Sequence, residues 1–224
     1  MHRRSSTRSP IVQRPDLAQC NNASMRLYAA LLPPPEVQAD LAAVVASVPG
    51  SGAQLAHVPA NMLFLRLANF GKVTLADANG LADTVEREIA QWPPMTFRFR
   101  GGAALEPIGD DSAWASLEGD VDQVSHITDL MLRVVKRLGF LVDRRLPRTL
   151  VRVGRITPVT TVDYLQRLID RLDDYTGPDW TCTEVTLMRV ITDAGDHSFP
   201  DYEVLHRLPL QAVDPTEEVS LGPS

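Results

Sequence analysis

Two short segments of this chain match each other, and they constrain the fold more than any other feature. Residues 64–67 read FLRL and residues 150–153 read LVRV, so both are apolar, apolar, arginine, apolar. In a β-strand, residues i and i+2 point to the same face. Each segment would therefore present a hydrophobic residue and an arginine together, Phe64 with Arg66 and Leu150 with Arg152. Because the segments lie roughly half a chain apart, the repeat predicts two related lobes, each of which presents an arginine to a shared place.

Size and composition allow one sizeable domain or two small lobes around a cleft. The chain has 224 residues, of which 44% are hydrophobic and 22% charged, as is ordinary for a soluble globular protein. The net charge is −6, so a nucleic-acid site would have to be a local basic patch. No apolar run reaches the about 18 residues that a membrane span needs, and we expect no membrane association.

The two cysteines predict neither a disulfide nor a metal site. Cys20 lies in a polar N-terminal stretch and Cys182 in a strand-like run, so reduced thiols in a cytoplasmic protein are expected. His197 with Asp193 and Asp196 supplies too few ligands at fixed spacing for a metal. We expect no metal and no cofactor.

The ends of the chain differ from its middle. Residues 1–24 carry four arginines among polar residues and little to bury, which predicts a disordered basic tail. A targeting peptide is disfavoured because no apolar stretch follows the basic residues, and a true start at Met25 stays open. Residues 25–210 are predicted to form a single domain of two lobes, and the polar residues 211–224 a flexible tail.

Between the tails, strand patterns and helix patterns alternate. Helical spacing of apolar residues predicts helices at 36–48, 77–91, 120–138 and 162–172. Strands are predicted at 26–32, 62–68, 95–100, 112–117, 150–156, 182–190 and 202–208, with a loop at 51–60. This order favours an α+β fold of antiparallel sheets with helices packed on their outer faces. A doubly wound parallel sheet is disfavoured because no glycine-rich phosphate loop follows the first strand.

Several segments together resemble one known family. Residues 26–31 (RLYAAL) are followed by three prolines and Glu36-Val37, and Val58-Pro59 precedes the first of the matched segments. Residues 114–119 read WASLEG, and the closing hairpin reads EVTLMR, YEVL and RLPL at 184–189, 202–205 and 207–210. In these features the chain from Met25 to about Leu210 resembles the bacterial 2′-5′ RNA ligase / RNA 2′,3′-cyclic phosphodiesterase family of the two-histidine (2H) phosphoesterase superfamily. The closing hairpin is the most specific match.

The resemblance implies a bilobal α+β fold, with two pseudo-symmetric lobes of antiparallel sheet, helices on the outer faces and a central cleft. Each lobe of such a protein offers a His-x-Thr or His-x-Ser strand to the cleft. One histidine acts as general base on a water and the other as general acid on the leaving oxygen, while the hydroxyls hold the phosphate. Histidine suits both roles near neutral pH.

Both motifs are missing from this chain. In the alignment, Phe64 and Leu150 stand at the two histidine positions, and Arg66 and Arg152 stand at the two threonine positions. Shifting the second motif by one or two residues places its histidine position on Thr149 or Arg148, and no shift supplies a histidine. We therefore predict no catalytic residue at these positions.

The arginines are candidates for holding phosphate, because guanidinium forks fit phosphate oxygens. For Arg66 and Arg152 the alternatives are surface arginines or ion pairs with acids across the cleft. Arg155 is a further candidate, since the resemblance places a basic residue there, and its alternative is a solvated strand end. Phe64 would either stack on a base or fill space.

Other residues are expected to be structural. His126 begins the only literal His-x-Thr, but it lies in a predicted helix and is expected to be a partly exposed helix residue. His57 is expected to be a solvated loop residue. The tryptophans Trp92, Trp114 and Trp180 are expected to pack in the core or against a sheet.

Three functions follow as hypotheses. The first is a catalytically inactive relative that binds a phosphorylated ligand, an RNA end or a nucleotide, through its arginines. The second is an interaction or structural module whose cleft is closed. The third is an active RNA 2′,3′-cyclic phosphodiesterase that uses non-standard residues. The missing histidines favour an inactive protein, because each proton-transfer group contributes about 10²–10⁴-fold to the rate.

Overall fold

The computed structural model describes residues 24–104, 111–139, 149–192 and 199–211. The strands are β1 (Met25–Leu31), β2 (Leu55–His57), β3 (Leu65–Val73), β4 (Met95–Ala104), β5 (Ser112–Gly119), β6 (Leu150–Ile156), β7 (Trp180–Cys182), β8 (Glu184–Thr192) and β9 (Asp201–Pro209). The helices are α1 (Pro35–Ala46), the single turn α2 (Ser51–Gln54), α3 (Leu75–Ile89), α4 (Val121–Arg137) and α5 (Val162–Asp173), and a 3₁₀ turn spans Ala60–Met62.

The strands form two antiparallel sheets. The first sheet has the order β3-β1-β8-β9, and the second has the order β2-β6-β5-β4-β7. Helices α3 and α4 contact the first sheet, α5 contacts the second, and α1 contacts α5. The predicted α+β fold of antiparallel sheets is confirmed. In addition, β3 of the first sheet contacts β6 of the second, so the two strands of the sequence repeat lie against each other.

The helices form where the apolar stripes predict them. Val37, Leu41, Val44 and Val45 are all buried on one face of α1, which begins at Pro35. Helix α3 begins after a capping box in which Thr74 and Asp77 satisfy each other's backbone N–H groups. The side chain of Thr161 accepts a hydrogen bond from the Tyr164 N–H and caps α5 in the same way.

Two of the predicted elements are wrong, because their partners are distant in sequence. The predicted loop at 51–60 contains α2, β2 and the start of the 3₁₀ turn, and β2 is held by antiparallel pairing with β6. The predicted strand at 182–190 belongs to two strands in different sheets. Cys182 of β7 pairs with Met95 in the second sheet, whereas β8 pairs with β1 in the first. A continuous β pattern carries no signal that the partner strand changes at Thr183.

The strand predicted at 62–68 begins later and runs longer, as Leu65–Val73, because Ala60–Met62 forms the 3₁₀ turn. The predicted tails lie outside the described residues, apart from Ser24 and Gln211. Cys20 and the loop residues Asp193, Asp196 and His197 lie outside them as well. Among the helices that the structure describes, none is long and apolar enough to cross a membrane.

Candidate functional site

Strand register defines one face of the first sheet on which Arg66 lies. Ala30 of β1 is paired with Arg66 of β3 on one side and with Thr186 of β8 on the other. Residues directly opposite each other in a ladder point to the same face, and Tyr28 joins them two residues before Ala30. Leu27, by contrast, lies on the opposite face in the hydrophobic core. We call the face that carries Arg66 and Tyr28 the cleft face of the first sheet.

The second sheet has a matching cleft face. Arg152 of β6 is paired with Trp114 of β5, and Arg155 is paired with Ser112. Because Ser112 and Trp114 are two residues apart on β5, both arginines lie on the same face of the sheet. The register irregularity between Ala113 and Trp114 brings both arginines to one side, although they are three residues apart on β6.

Each cleft face stacks its arginine on an aromatic ring. The Arg66 Cζ lies 5.1 Å from the centre of the Tyr28 ring, and the Arg152 Cζ lies 5.2 Å from the centre of the Trp114 ring. Such cation–π contacts contribute about 0.5–1 kcal/mol at exposed sites and about 2 kcal/mol when desolvated. In both sheets the ring belongs to the strand that pairs with the arginine's own strand. The repeat seen in the sequence is therefore a repeat of local structure.

Tyr202 of β9 adds another aromatic ring to the cleft face of the first sheet. Its ring makes edge-to-face contacts with Phe64, at 5.2 Å between centroids, and with Tyr28, at 5.8 Å. Burial raises the pKa of Tyr202, and the charges of Arg66, Arg152 and Arg26 each act to lower it. Arginines from both sheets therefore lie close enough to act on one phenol.

The residues of the site remain accessible to solvent. Arg66 and Arg155 are exposed, and Arg152, Phe64 and Leu150 are half-buried. Phe64 packs against the edge of Tyr202 and keeps part of its own surface open.

Several carboxylates of the described residues form ion pairs with other arginines. Arg98 pairs with Asp179 at 3.0 Å, Arg100 with Glu118 at 3.5 Å and Arg189 with Glu203 at 2.5 Å, and Arg207 pairs with Glu184. None of these ion pairs includes Arg66 or Arg155. The alternative in which those two arginines pair with acids across the cleft is not observed among the described residues.

The three described histidines lie away from the cleft faces. His126 is exposed on α4, as expected, and its ring is 6.2 Å from that of Trp92. His206 Nε2 is 3.0 Å from Asn79 Oδ1 on α3. His57 is not the solvated loop residue that we expected, because it lies in β2 with Nε2 2.7 Å from Ser51 Oγ.

Ser51 shows why His57 is structural. The Ser51 hydroxyl donates to the carbonyl of Val45 and lies 3.0 Å from the hydroxyl of Tyr164. With its proton directed at the backbone, Ser51 Oγ accepts hydrogen bonds from both His57 and Tyr164. The cluster joins α1, α2, β2 and α5, and it offers no activated nucleophile.

Sequence reasoning missed three aromatic members of the site, Tyr28, Trp114 and Tyr202. Trp180 is buried as expected, with its ring 5.1 Å from that of Phe97, and Trp92 packs partly buried against the core. Trp114 is instead half-buried on a cleft face beneath Arg152. Strict alternation along residues 112–117 could have revealed its direction, since its neighbours Ala113 and Ala115 are buried on the other face. Within the described ranges, no group of three metal-ligating side chains is found.

Comparisons with known proteins find similar folds among solved structures. No family model matches the sequence, and no curated protein matches it. Among solved structures, Escherichia coli LigT in complex with 3′-AMP aligns with a TM-score of 0.67 and 18% identity, over 85% of this chain and 100% of that one. The fold is that of the LigT-type 2H phosphoesterases. The protein TT0787 of Thermus thermophilus aligns with a TM-score of 0.64 and 20% identity, over 84% of this chain and 100% of that one.

A third structure, described only as a phosphoesterase, aligns with a TM-score of 0.67 and 17% identity, over 85% of this chain and 100% of that one. The resemblance predicted from the closing hairpin and the opening strand is thereby confirmed for the fold, including its two lobes. At these identities the likeness establishes the LigT-type fold, and what this chain binds has to be argued from its own cleft.

Proposed function

We propose that this protein is a non-hydrolytic LigT-like protein that binds a phosphorylated ligand, an RNA end or a nucleotide, between its two sheets through Arg66 and Arg152. The observation that carries the proposal is the pair of arginine–aromatic stacks, one from each sheet, whose arginines lie on the contacting strands β3 and β6. Arg155 adds a third guanidinium on the cleft face of the second sheet.

Stacking prepares an arginine for phosphate. A guanidinium that lies over a ring still presents its N–H donors at its edge, and these donors match two phosphate oxygens at once. The ring restricts the side chain, so less conformational entropy is lost on binding. Two such forks on opposite walls would contact different oxygens of one phosphate.

The aromatic residues of the cleft suit a nucleoside. Phe64 and Tyr202 present ring surface beside the arginines, and base–aromatic stacking contributes about 1–3 kcal/mol per base. Escherichia coli LigT, which has this fold, has been crystallised with 3′-AMP, with phosphate, with ATP and with NADP+. All of these ligands carry phosphate, which supports the same class of ligand here.

Hydrolysis would need a proton acceptor and a proton donor on opposite sides of phosphorus. Phe64 and Leu150 can serve as neither, and an arginine stays protonated throughout the working pH range. Burial raises the pKa of Tyr202, so its phenol keeps its proton at neutral pH and cannot act as a base. The residues at the two motif positions therefore bind without catalysing.

The experiment has two readouts on the same purified protein. Calorimetric titration with 3′-AMP is expected to show saturable binding at one site per chain. Incubation with 2′,3′-cyclic AMP, followed by chromatography, is expected to show no turnover. The double variant Arg66→Gln/Arg152→Gln should lose binding, and Arg133→Gln, an exposed arginine on α4, should leave it unchanged.

Two outcomes would overturn the proposal. Turnover that Arg66→Ala abolishes and His126→Ala leaves intact would show an active enzyme with non-standard residues. Failure of both 3′-AMP and inorganic phosphate to bind would instead favour an interaction or structural module whose cleft is closed.

A further inference from the structure

The side chain of Thr186 carries a buried hydroxyl on the cleft face of the first sheet. Thr186 on β8 is directly opposite Ala30 of β1, which is in turn opposite Arg66 of β3, so the three residues form one row across this face. Thr186 is fully buried, and its Oγ1 forms no hydrogen bond with the residues that the structure describes. A buried polar group without a described partner therefore lies in the same row as Arg66.

The burial of Thr186 comes from the cleft side of the sheet. Its neighbours Val185 and Leu187 point to the opposite face and belong to the hydrophobic core. Ala30 and Met188, which share its face, are also buried but are not part of that core. The groups that cover Thr186 therefore lie on the cleft side, and only a small group, such as a phosphate oxygen, can take their place next to the hydroxyl.

An unpartnered hydroxyl has a cost in the protein alone. Burial removes its hydrogen bonds to water, and no described group replaces them at Thr186. Valine has nearly the same shape without the hydroxyl and would avoid this cost. A threonine at such a position therefore indicates a partner from outside the chain.

The neighbours of Thr186 favour a negatively charged acceptor. Arg66 lies on one side of it, beyond Ala30, and Arg207 lies directly opposite it on the other side. Arg207 is in an ion pair with Glu184, whereas Arg66 is in none of the ion pairs described above. A guanidinium only donates hydrogen bonds, and a hydroxyl can donate one as well, so a phosphate oxygen can accept from both.

The spacing of the strands allows one phosphate to contact both residues. Neighbouring strands are about 4.8 Å apart, so the Cα atoms of Arg66 and Thr186 are about 10 Å apart, a distance that an arginine side chain and a phosphate together span. The side chain of Ala30, which lies between them, is only a methyl group.

We propose that the Thr186 hydroxyl donates a hydrogen bond to the phosphate that Arg66 holds. This inference rests on the proposed function and adds a residue of β8 to the same site. The hydroxyl then stabilises the complex but not the protein alone, so its removal affects affinity and stability in different directions.

The test is calorimetric titration of 3′-AMP and of inorganic phosphate into the full chain and its Thr186→Val variant, with thermal melts of the same samples without ligand. We expect the variant to bind both ligands roughly tenfold or more weakly, and by the same factor. Without ligand its Tm should be unchanged or higher, because the substitution removes a buried hydroxyl that has no described partner.

Matched variants isolate the hydroxyl. Thr186→Ser keeps it and should bind both ligands within about twofold of the wild type. If Thr186→Val does not fold, the pair Thr186→Ser and Thr186→Ala removes the same hydroxyl without adding a branched side chain. Thr128 on α4 also has a buried hydroxyl without a described partner, but its neighbours Ile127 and Met131 belong to the hydrophobic core, so Thr128→Val should leave both affinities unchanged.

The outcomes separate the two proposals. If the wild type binds neither 3′-AMP nor inorganic phosphate, the proposed function fails and this inference fails with it. If the wild type binds and Thr186→Val binds equally well, phosphate binding stands and the role of Thr186 is refuted. A loss of affinity for 3′-AMP alone would refute a contact with the phosphate. A Tm of Thr186→Val below that of Thr186→Ser, without ligand, would show a structural partner for the hydroxyl and would also refute the inference.

Discussion

Arg66 and Arg152 are predicted to hold one phosphate together, and a double-substitution cycle tests this directly. The variants are Arg66→Gln, Arg152→Gln and the combination of both. Glutamine removes the charge and the fork but keeps part of the aliphatic stem that covers Tyr28 or Trp114. Removal of a charge-assisted hydrogen bond costs about 1.5–3 kcal/mol, or roughly 10- to 150-fold in Kd.

Burial decides where in that range each arginine falls. Arg66 is exposed, so solvent and salt screen its interaction and the lower end is expected. Arg152 is half-buried, and the upper end is expected. The cost to folding should be smaller, about 0.5–1 kcal/mol for Arg66 and at most about 2 kcal/mol for Arg152, from the lost cation–π contacts. For a chain of this size this lowers Tm by a few degrees.

The assay is calorimetric titration of 3′-AMP into each variant, with thermal melts of the same samples. If both arginines contact one phosphate, each single variant keeps one site per chain with weaker affinity, and the effects of the two substitutions are not additive. Two separate anion sites would instead give a stoichiometry of two that a single substitution reduces to one. Changes in Kd below about twofold in both single variants, no larger than in Arg133→Gln, would refute the reasoning.

Three further predictions concern stability and reactivity. Gly119 has φ of +112°, and an added Cβ would lie 2.2 Å from the carbonyl oxygen of Thr96. The substitution Gly119→Ala should therefore lower the free energy of unfolding by about 2 kcal/mol or more in urea melts. The control Gly52→Ala should not, because a Cβ at Gly52 has no heavy atom within 4 Å. Burial raises the pKa of Cys182 to about 11, which keeps its thiol protonated and unreactive. In a Cys20→Ser variant at about pH 8, this thiol should react with a disulfide reagent at least about 100-fold more slowly in the native protein than in the urea-unfolded protein. Comparable rates in the two states would contradict this. Burial and Asp40, which accepts a 2.5 Å hydrogen bond from Tyr175, raise the pKa of Tyr175, so its contribution to stability is complete below about pH 10 and is lost above it. The Tm of Tyr175→Phe should therefore fall less steeply with rising alkaline pH than that of the wild type. Parallel curves of Tm against pH would argue against this.

Local signals were sufficient for most of the fold. The helices follow from apolar stripes such as that of α1, and β6 occupies the residues that its alternation predicts. Where the prediction failed, the deciding contact was distant. The short strand β2 exists because β6 provides a partner, and the change of sheet at Thr183 depends on where β1 and β4 lie. Neither fact is encoded in the residues of the segment itself.

For the candidate site, too, local sequence signals predicted some features, and contacts between distant residues determined the others. Strand alternation was enough to place Phe64 and Arg66 on one side, and Leu150 and Arg152 on one side. It could not show that Tyr202, near the other end of the chain, would contact Tyr28 and Phe64, because this depends on the pairing of strands that are distant in sequence. The role of Trp114 was missed for a simpler reason, since a tryptophan in a strand usually packs inward.

Each arginine stacks on the ring beneath it, so a substitution of the arginine affects ligand binding and folding stability to different extents. Arg66 and Arg152 lie on β3 and β6, which contact each other, so their like charges repel. The rings of Tyr28 and Trp114 offset part of that cost through cation–π contacts. Removing one arginine therefore loses a stack but relieves repulsion, and the two changes oppose each other in the free energy of unfolding. No such cancellation occurs in the complex, where each arginine attracts the same anion, so a large loss of affinity with a fall in Tm of only a few degrees is the signature of a phosphate site.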